Sequence, residues 1–221
     1  MHRRRLAAWV AVVLVLAIVG YAARFTAAGG LQRDVFFRPS TAIATFALDG
    51  ILLLLMLLIV RGLPLRDALA LRRPASWRAA ANIALAALVA TWATSLALEL
   101  TVGHEVREQA VPQYYDPARL GAFIANIAAV GLFVPIVEEV MCRGVGFHLL
   151  EPWGQGVAIA GTTVAFALAH GAVLDLPWVL VTGLGLGWLR SRTASLYPCV
   201  ALHAAVNSIA IVLSAVMATP V

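Results

Sequence analysis

Two adjacent carboxylates, Glu138 and Glu139, close an apolar run that begins at Gly121, and Arg143 follows four residues after Glu139. On a helix, residues four apart share a face, so Glu139 and Arg143 can pair. Glu138 points about 100° away from Glu139 and is left free to act. Phe166 and His170 share a face in the same way, as do His203 and Asn207. One free carboxylate, two imidazoles and an amide amount to a general base, a second group able to hold water or carry a proton, and two hydrogen-bond donors for an oxyanion. No Ser-His-Asp order and no nucleophile elbow is visible, so water is the economical nucleophile.

The elements that must position these groups are membrane helices. The 221 residues are 62% hydrophobic and 12% charged, with a mean hydropathy of +0.91. Soluble domains carry about 25% charged residues, so this chain has to be solvated largely by lipid. That excludes a cytosolic enzyme, a disordered tail and a nucleic-acid partner. The net charge of +5 comes from sixteen arginines spread between apolar runs with no basic stripe, and reads as a topology signal. A bilayer core of about 30 Å needs about 20 apolar helical residues. Runs suited to this occupy residues 6–23, 41–60, 79–98, 120–150, 157–170, 176–189 and 196–216. The expected fold is an all-α membrane protein of about seven transmembrane helices, with the chemistry-bearing residues on helices 4 to 7. The basic start before residues 6–23 also fits a cleaved signal peptide, but the repeated spans downstream favour a retained first helix.

Cytoplasmic loops retain arginine. With the N-terminus inside, eleven arginines, Arg143 among them, fall on inner segments and five on outer ones, and the least basic loop, residues 101–117, falls outside. The expectation is an integral protein of a bacterial plasma membrane with a cytoplasmic N-terminus. No internal period divides the chain. Residues 1–221 read as one polytopic domain, with three N-terminal spans and their loops in 1–117 and a four-helix core in 118–218.

Other polar residues have simpler readings. A Glu with two His is a common zinc set, but there is no HExxH and the two histidines lie on different helices, so neither metal nor cofactor is expected. Cys142 has only Arg143 nearby to activate a thiol and is expected to pack; Cys199 is likewise in an apolar stretch. Asp49, in the middle of the second span, is expected to be a buried polar partner facing protein. Gly183 and Gly187 form a GxxxG suited to close helix packing. His104 and the Tyr114–Tyr115 loop suit an interfacial belt.

The segments Glu138-Glu139-Val-Met-Cys-Arg143, Phe166-Ala-Leu-Ala-His170 and His203-Ala-Ala-Val-Asn207 resemble the EExxxR, FxxxH and HxxxN motifs of the CPBP family. That family, also called Abi, contains the CAAX prenyl endopeptidases and bacteriocin-processing proteins. The stretch from Gly183 to His203 resembles the family's glycine-rich helix and its entry to the last motif. The resemblance implies a glutamate-dependent intramembrane endopeptidase. Glu138 would activate water with His170, while His203 and Asn207 would form the oxyanion site. Glu139, Arg143 and Phe166 would support the site structurally. The substrate would be a membrane-anchored protein or a signal-like or sorting-tail helix.

A non-catalytic maturation or immunity factor that uses the same scaffold for binding is the second reading. A transporter ranks last, because the polar residues cluster in one half of the chain. One geometric difficulty remains. From a turn near Pro152, Glu138 and His170 lie roughly 21 Å and 27 Å along their helices, whereas His203 lies only about 12 Å from a helix start near Ser195. A tilt, a kink or a shifted turn must bring these depths together.

Overall fold

The computed structural model describes residues 2–26, 34–103, 112 and 114–217. Among them the chain is helical with no strand: α1 His2–Thr26, α2 Pro39–Ile59, the short α3 Leu65–Ala68, α4 Trp77–Val102, α5 Pro117–Trp153, α6 Gln155–His170, α7 Leu176–Thr193 and α8 Tyr197–Met217. Every one of the seven expected apolar runs is a helix. Five of these, α1, α2, α4, α5 and α8, are long and apolar enough to cross a membrane, and the protein is an integral membrane protein. At 16 residues α6 reaches only about 24 Å, and α7 ends on Arg190 and Arg192. His104, Arg107, Glu105, Glu108 and Arg33 lie outside the described residues.

Local signals set the helix ends. Ser76 caps α4 by accepting a hydrogen bond from the Ala79 amide, as an N-cap serine does. Pro39 opens α2, and Pro177 lies in the first turn of α7, where the missing N–H costs nothing. Gly171, at φ +58°, ends α6. A Cβ there would come within 2.9 Å of the Gly20 backbone on α1, so the position needs glycine twice over.

The longest helix is not uniform. α5 contains two π-helical stretches, Ile127–Phe133 and Val140–Gly146, which flank the α-helical turn carrying Glu138 and Glu139. Four carbonyls in these stretches accept side-chain hydrogen bonds from other helices. Asn207 Nδ2 donates to Val130 O at 3.2 Å, Ser208 Oγ to Gly131 O at 3.2 Å, Trp9 Nε1 to Met141 O at 3.0 Å, and Arg190 Nε to Arg143 O at 2.9 Å. Single-turn π segments are rare and recur at functional sites. Here α1, α7 and α8 pin them in place.

The main core runs through this region. Trp9 and Val13 of α1, Leu52 and Met56 of α2, and Val137, Val140, Met141 and Val145 of α5 are buried together with Phe166 of α6 and Val179 of α7. The GxxxG of α7 packs on α6 as expected, Gly183 against Thr163 and Phe166 and Gly187 against Ile159.

The Arg-rich segments gather at one end of the bundle. Arg5 donates to Arg61 O, the His2 ring lies tilted against Trp153, Ser191 donates to Gln155, and Ser195 donates to Arg72 O. Arg143 and Arg190 depart from the loop-charge reading. Arg143 is 0% exposed and Arg190 is 4% exposed, because each has partners inside the bundle. They are structural charges rather than topology signals.

Candidate active site

The turn Val134–Glu139 of α5 carries the two carboxylates against α2 and α8, and the following stretch Val140–Gly146 packs on α6 and α7. Glu139 is completely buried and has two partners on the same oxygen. Arg143 Nη1 donates to its Oε1 at 2.9 Å, and His203 Nδ1 lies 3.0 Å from that oxygen. The expected Glu139–Arg143 pair is therefore present. The pair is only partly satisfied: among the described residues, buried Glu139 Oε2 and Arg143 Nε have no hydrogen-bond partner. Arg143 Nη2 donates to the Gly183 carbonyl at 2.8 Å, and its guanidinium lies 4.8 Å from the centre of the Phe166 ring.

A carboxylate can only accept, so His203 carries a proton on Nδ1 and presents Nε2 to the other side. There it meets Glu138, with Nε2 at 3.6 Å from Oε2. This is ion-pair range but too long for a direct hydrogen bond. Among the described residues Glu138 Oε2 has no hydrogen-bond partner, and the side chain remains 20% exposed while that of Glu139 is 0% exposed. Glu138 is thus the carboxylate left free, as the helical spacing predicts.

His170 reaches the same cluster through Phe166. Its Nδ1 lies 2.8 Å from the Phe166 carbonyl one turn back. Because a carbonyl accepts, this contact puts the proton on Nδ1 and leaves Nε2 facing away from its own helix. The Phe166 ring lies 4.3 Å from the His170 ring and 5.5 Å from the His203 ring, the latter edge-on. Phe166 is thus the common wall for Arg143, His170 and His203. The hydrogen bond of His170 goes to Phe166 rather than to Glu138.

Asn207 sits one turn beyond His203 on α8. Its Nδ2 donates to Val130 O at 3.2 Å. All seven residues singled out by spacing therefore converge on one region, with Glu138, Glu139, Arg143 and His203 in a continuous chain and His170 and Asn207 at its edges.

The depth mismatch is resolved by a shifted turn. The turn entering α8 is not at the surface: Ser195 and Leu196 are buried, with Leu196 N donating to Ala70 O at 3.0 Å. The segment that contains α3 and Ala70 caps this turn from outside, whereas Glu151, Pro152 and Trp153 at the end of α5 are exposed. His203 therefore starts its count from deeper in the bundle.

Spacing missed three supporting groups. The Gly183 carbonyl and Arg190 act through backbone contacts that no side-chain pattern reveals. Trp9 comes from the first span, which carries no motif. Asp49 is half-buried on α2, on the face that carries Leu52 and Met56 into the core beside Val137 and Val140. It faces protein, as expected. Cys142 and Cys199 are both free and buried. No group of three or more His, Cys, Asp or Glu able to hold a metal is found among the described residues.

Residues 120–209 match the family described as type II CAAX prenyl endopeptidase Rce1-like. This segment is similar to the Rce1-like family. The matched stretch holds α5 from Leu120 onward, α6, α7 and most of α8, and with them every residue of the cluster. The resemblance carried by the three motifs is borne out. Rce1-like proteins are proteases of the CAAX type, which hydrolyse peptide bonds. No curated protein and no solved structure matches the chain.

Proposed function

We propose that this protein is an intramembrane endopeptidase in which Glu138 activates water to cleave a protein substrate near a membrane-embedded segment. The observation that carries this reading is the Glu138–His203 approach: a carboxylate oxygen without a hydrogen-bond partner lies 3.6 Å from an imidazole nitrogen. The other nitrogen of that imidazole is fixed by buried Glu139.

In this reading a water bound at Glu138 gives a proton to the carboxylate as its oxygen attacks the peptide carbonyl carbon. The carbonyl π bond opens and its oxygen becomes an oxyanion. His203, held by Glu139, and the second amide hydrogen of Asn207 form the site for that oxygen. Glu138 then passes its proton to the leaving nitrogen as the C–N bond breaks, so it serves as base and then as acid. His170 Nε2 accepts from the water and aims it. Glu139, Arg143 and Phe166 hold His203 and His170 without touching substrate.

The same reading takes residues 118–218 as the catalytic core and residues 1–117 as a flanking part. It includes all seven helices as crossings and a bacterial plasma membrane, with the Arg-rich end of the bundle in the cytoplasm. The substrate is a membrane-anchored protein or a signal-like or sorting-tail helix.

The test is cleavage in proteoliposomes, with a prenylated CAAX peptide and a signal-type helix presented side by side. Wild type is expected to cut one of the two and Glu138→Ala neither, with the variant inserted at the wild-type level. Unchanged cleavage by Glu138→Ala would overturn the mechanism. If alanine variants of Glu138, His170 and His203 all retain the cellular phenotype, the protein is a binding scaffold.

A further inference from the structure

A second site lies at the Arg-rich end of the bundle, away from the carboxylates. Between α1 and α2 there is a groove of about 510 Å3, lined by Arg4, Arg5, Ala8 and Val12 on one side and by Leu55, Leu58, Ile59 and Arg61 on the other. Its volume is in the range of small-molecule sites, about 300–1,000 Å3.

Helical register explains the shape. Trp9, Val13 and Ala17 are the buried residues of α1, and that face packs mainly on α6. The stripe Arg5, Ala8, Val12 is rotated off it and only loosely engages α2. On α2, Leu55, Leu58 and Ile59 form the matching stripe, and Arg61 follows the end of the helix. Each wall is therefore apolar along its length and cationic at the same end.

The arginines are not balanced by acids. Arg5 Nη2 donates to Arg61 O at 2.9 Å, which ties the two walls together at the mouth. Among the described residues, none of Arg4, Arg5 and Arg61 forms an ion pair with a carboxylate; the nearby Asp67 is 3.9 Å from Arg72. Three arginines thus line the cationic end of an apolar slot between α1 and α2.

From this geometry we infer that the α1–α2 groove binds one anionic phospholipid, with the phosphate held by Arg4, Arg5 and Arg61 and the start of an acyl chain lying on Ala8, Val12, Leu55 and Leu58. The guanidinium fork suits phosphate. A basic pocket between membrane helices, near the headgroup level, is where acidic lipid heads bind. A second copy of the chain would bring the same three cations to the mouth, so charge complementarity selects a molecule with an anionic head and an apolar tail. The site is independent of the proposed protease chemistry, and binding can be read without activity.

The experiment is native mass spectrometry of full-length protein taken from vesicles of phosphatidylglycerol, of phosphatidylcholine, or of an equal mixture. Wild type is expected to retain phosphatidylglycerol in preference to phosphatidylcholine. The triple variant R4Q/R5Q/R61Q is expected to lose that preference by on the order of a hundredfold, at about one surface-charge contribution per arginine. The triple variant R66Q/R73Q/R78Q removes equal charge from exposed positions outside the groove and is expected to retain the lipid. Ala8→Trp fills the groove, leaves all charges and the topology signal in place, and is expected to lose retention. Equal loss in both triple variants, equal retention of the two lipids by wild type, or wild-type retention by Ala8→Trp would each overturn the site. Displacement by inorganic phosphate at low millimolar concentration would also overturn it, since the groove would then be a phosphate site rather than a lipid site.

Discussion

His203 Nδ1 lies 3.0 Å from Glu139 Oε1, the same oxygen that receives Arg143 Nη1 at 2.9 Å. Glu139 is therefore more than the acid of a helix salt bridge: it fixes which nitrogen of His203 faces Glu138. A carboxylate that sets the tautomer and orientation of a histidine is a recurring device in hydrolases. Replacing it separates two effects. Glu139→Gln leaves Arg143 buried without its counter-ion and is expected to destabilise by about 3–5 kcal/mol. The double change Glu139→Gln with Arg143→Met removes both charges and should recover much of the melting temperature. Cleavage should stay low, because His203 loses its carboxylate. Full activity in the double variant would show that Glu139 serves the fold alone.

Glu138→Gln is the opposite case. Glu138 Oε2 makes no hydrogen bond, so an isosteric amide there disturbs little packing. The melting temperature should stay close to that of wild type, while cleavage falls by about 10²–10⁴, the range of a general base. A large loss of folded protein in this variant would mean that the carboxylate is structural.

The sequence made some relationships readable and hid others for a physical reason. Apolar runs mark all seven larger helices, and i, i+4 spacing brings out Glu139 with Arg143, Phe166 with His170, and His203 with Asn207, because these depend on one helix at a time. His203 and Glu139 are 64 residues apart, and nothing local couples them. The π stretches of α5 are equally silent, since their widened turns are secured by Trp9, Arg190, Asn207 and Ser208 from elsewhere in the chain. Arg143 was legible as a partner of Glu139 and misleading as a loop charge, because counting charges takes no account of burial.

Gly183 does two jobs at one position. Its carbonyl receives Arg143 Nη2 at 2.8 Å, and a Cβ there would lie 3.0 Å from Thr163 Cγ2 and 3.4 Å from Phe166 Cδ1. The Phe166 ring is the wall shared by His170 and His203, so added volume moves the site as well as the helix. Gly183→Ala is expected to cost on the order of 1 kcal/mol, and Gly183→Val about 1–3 kcal/mol, as overpacking does. Cleavage should fall more steeply than stability across this pair. Normal cleavage by a folded Gly183→Val protein would show that Phe166 does not position the histidines.

Chelation tests the choice of nucleophile activation. Glu138 and His203 approach each other, but His170 has its Nδ1 committed to the Phe166 carbonyl and His203 has its Nδ1 committed to Glu139. The proposed mechanism moves each proton through side chains. Cleavage is expected to persist in excess chelator, measured after prolonged dialysis. Loss of cleavage that zinc restores would replace the Glu138–water mechanism with a metal-bound one.

The pinned π stretches give the last prediction, because they set where Glu138 and Glu139 stand on α5. Trp9→Phe removes the indole N–H that caps Met141 O while keeping an aromatic ring against Gly146, whose Cβ position lies 2.5 Å from Trp9 Cζ2. Ser208→Ala removes the hydroxyl that caps Gly131 O. Neither residue touches the carboxylates. Each loss of one hydrogen bond is expected to cost about 0.5–1.5 kcal/mol. If the π turns position the acids, the two variants also lower kcat with KM unchanged, since a displaced base weakens the transition state more than substrate binding. Hydrogen exchange should rise at residues 127–146 in both variants. A stability loss with wild-type kcat would show that α5 holds its register without these caps.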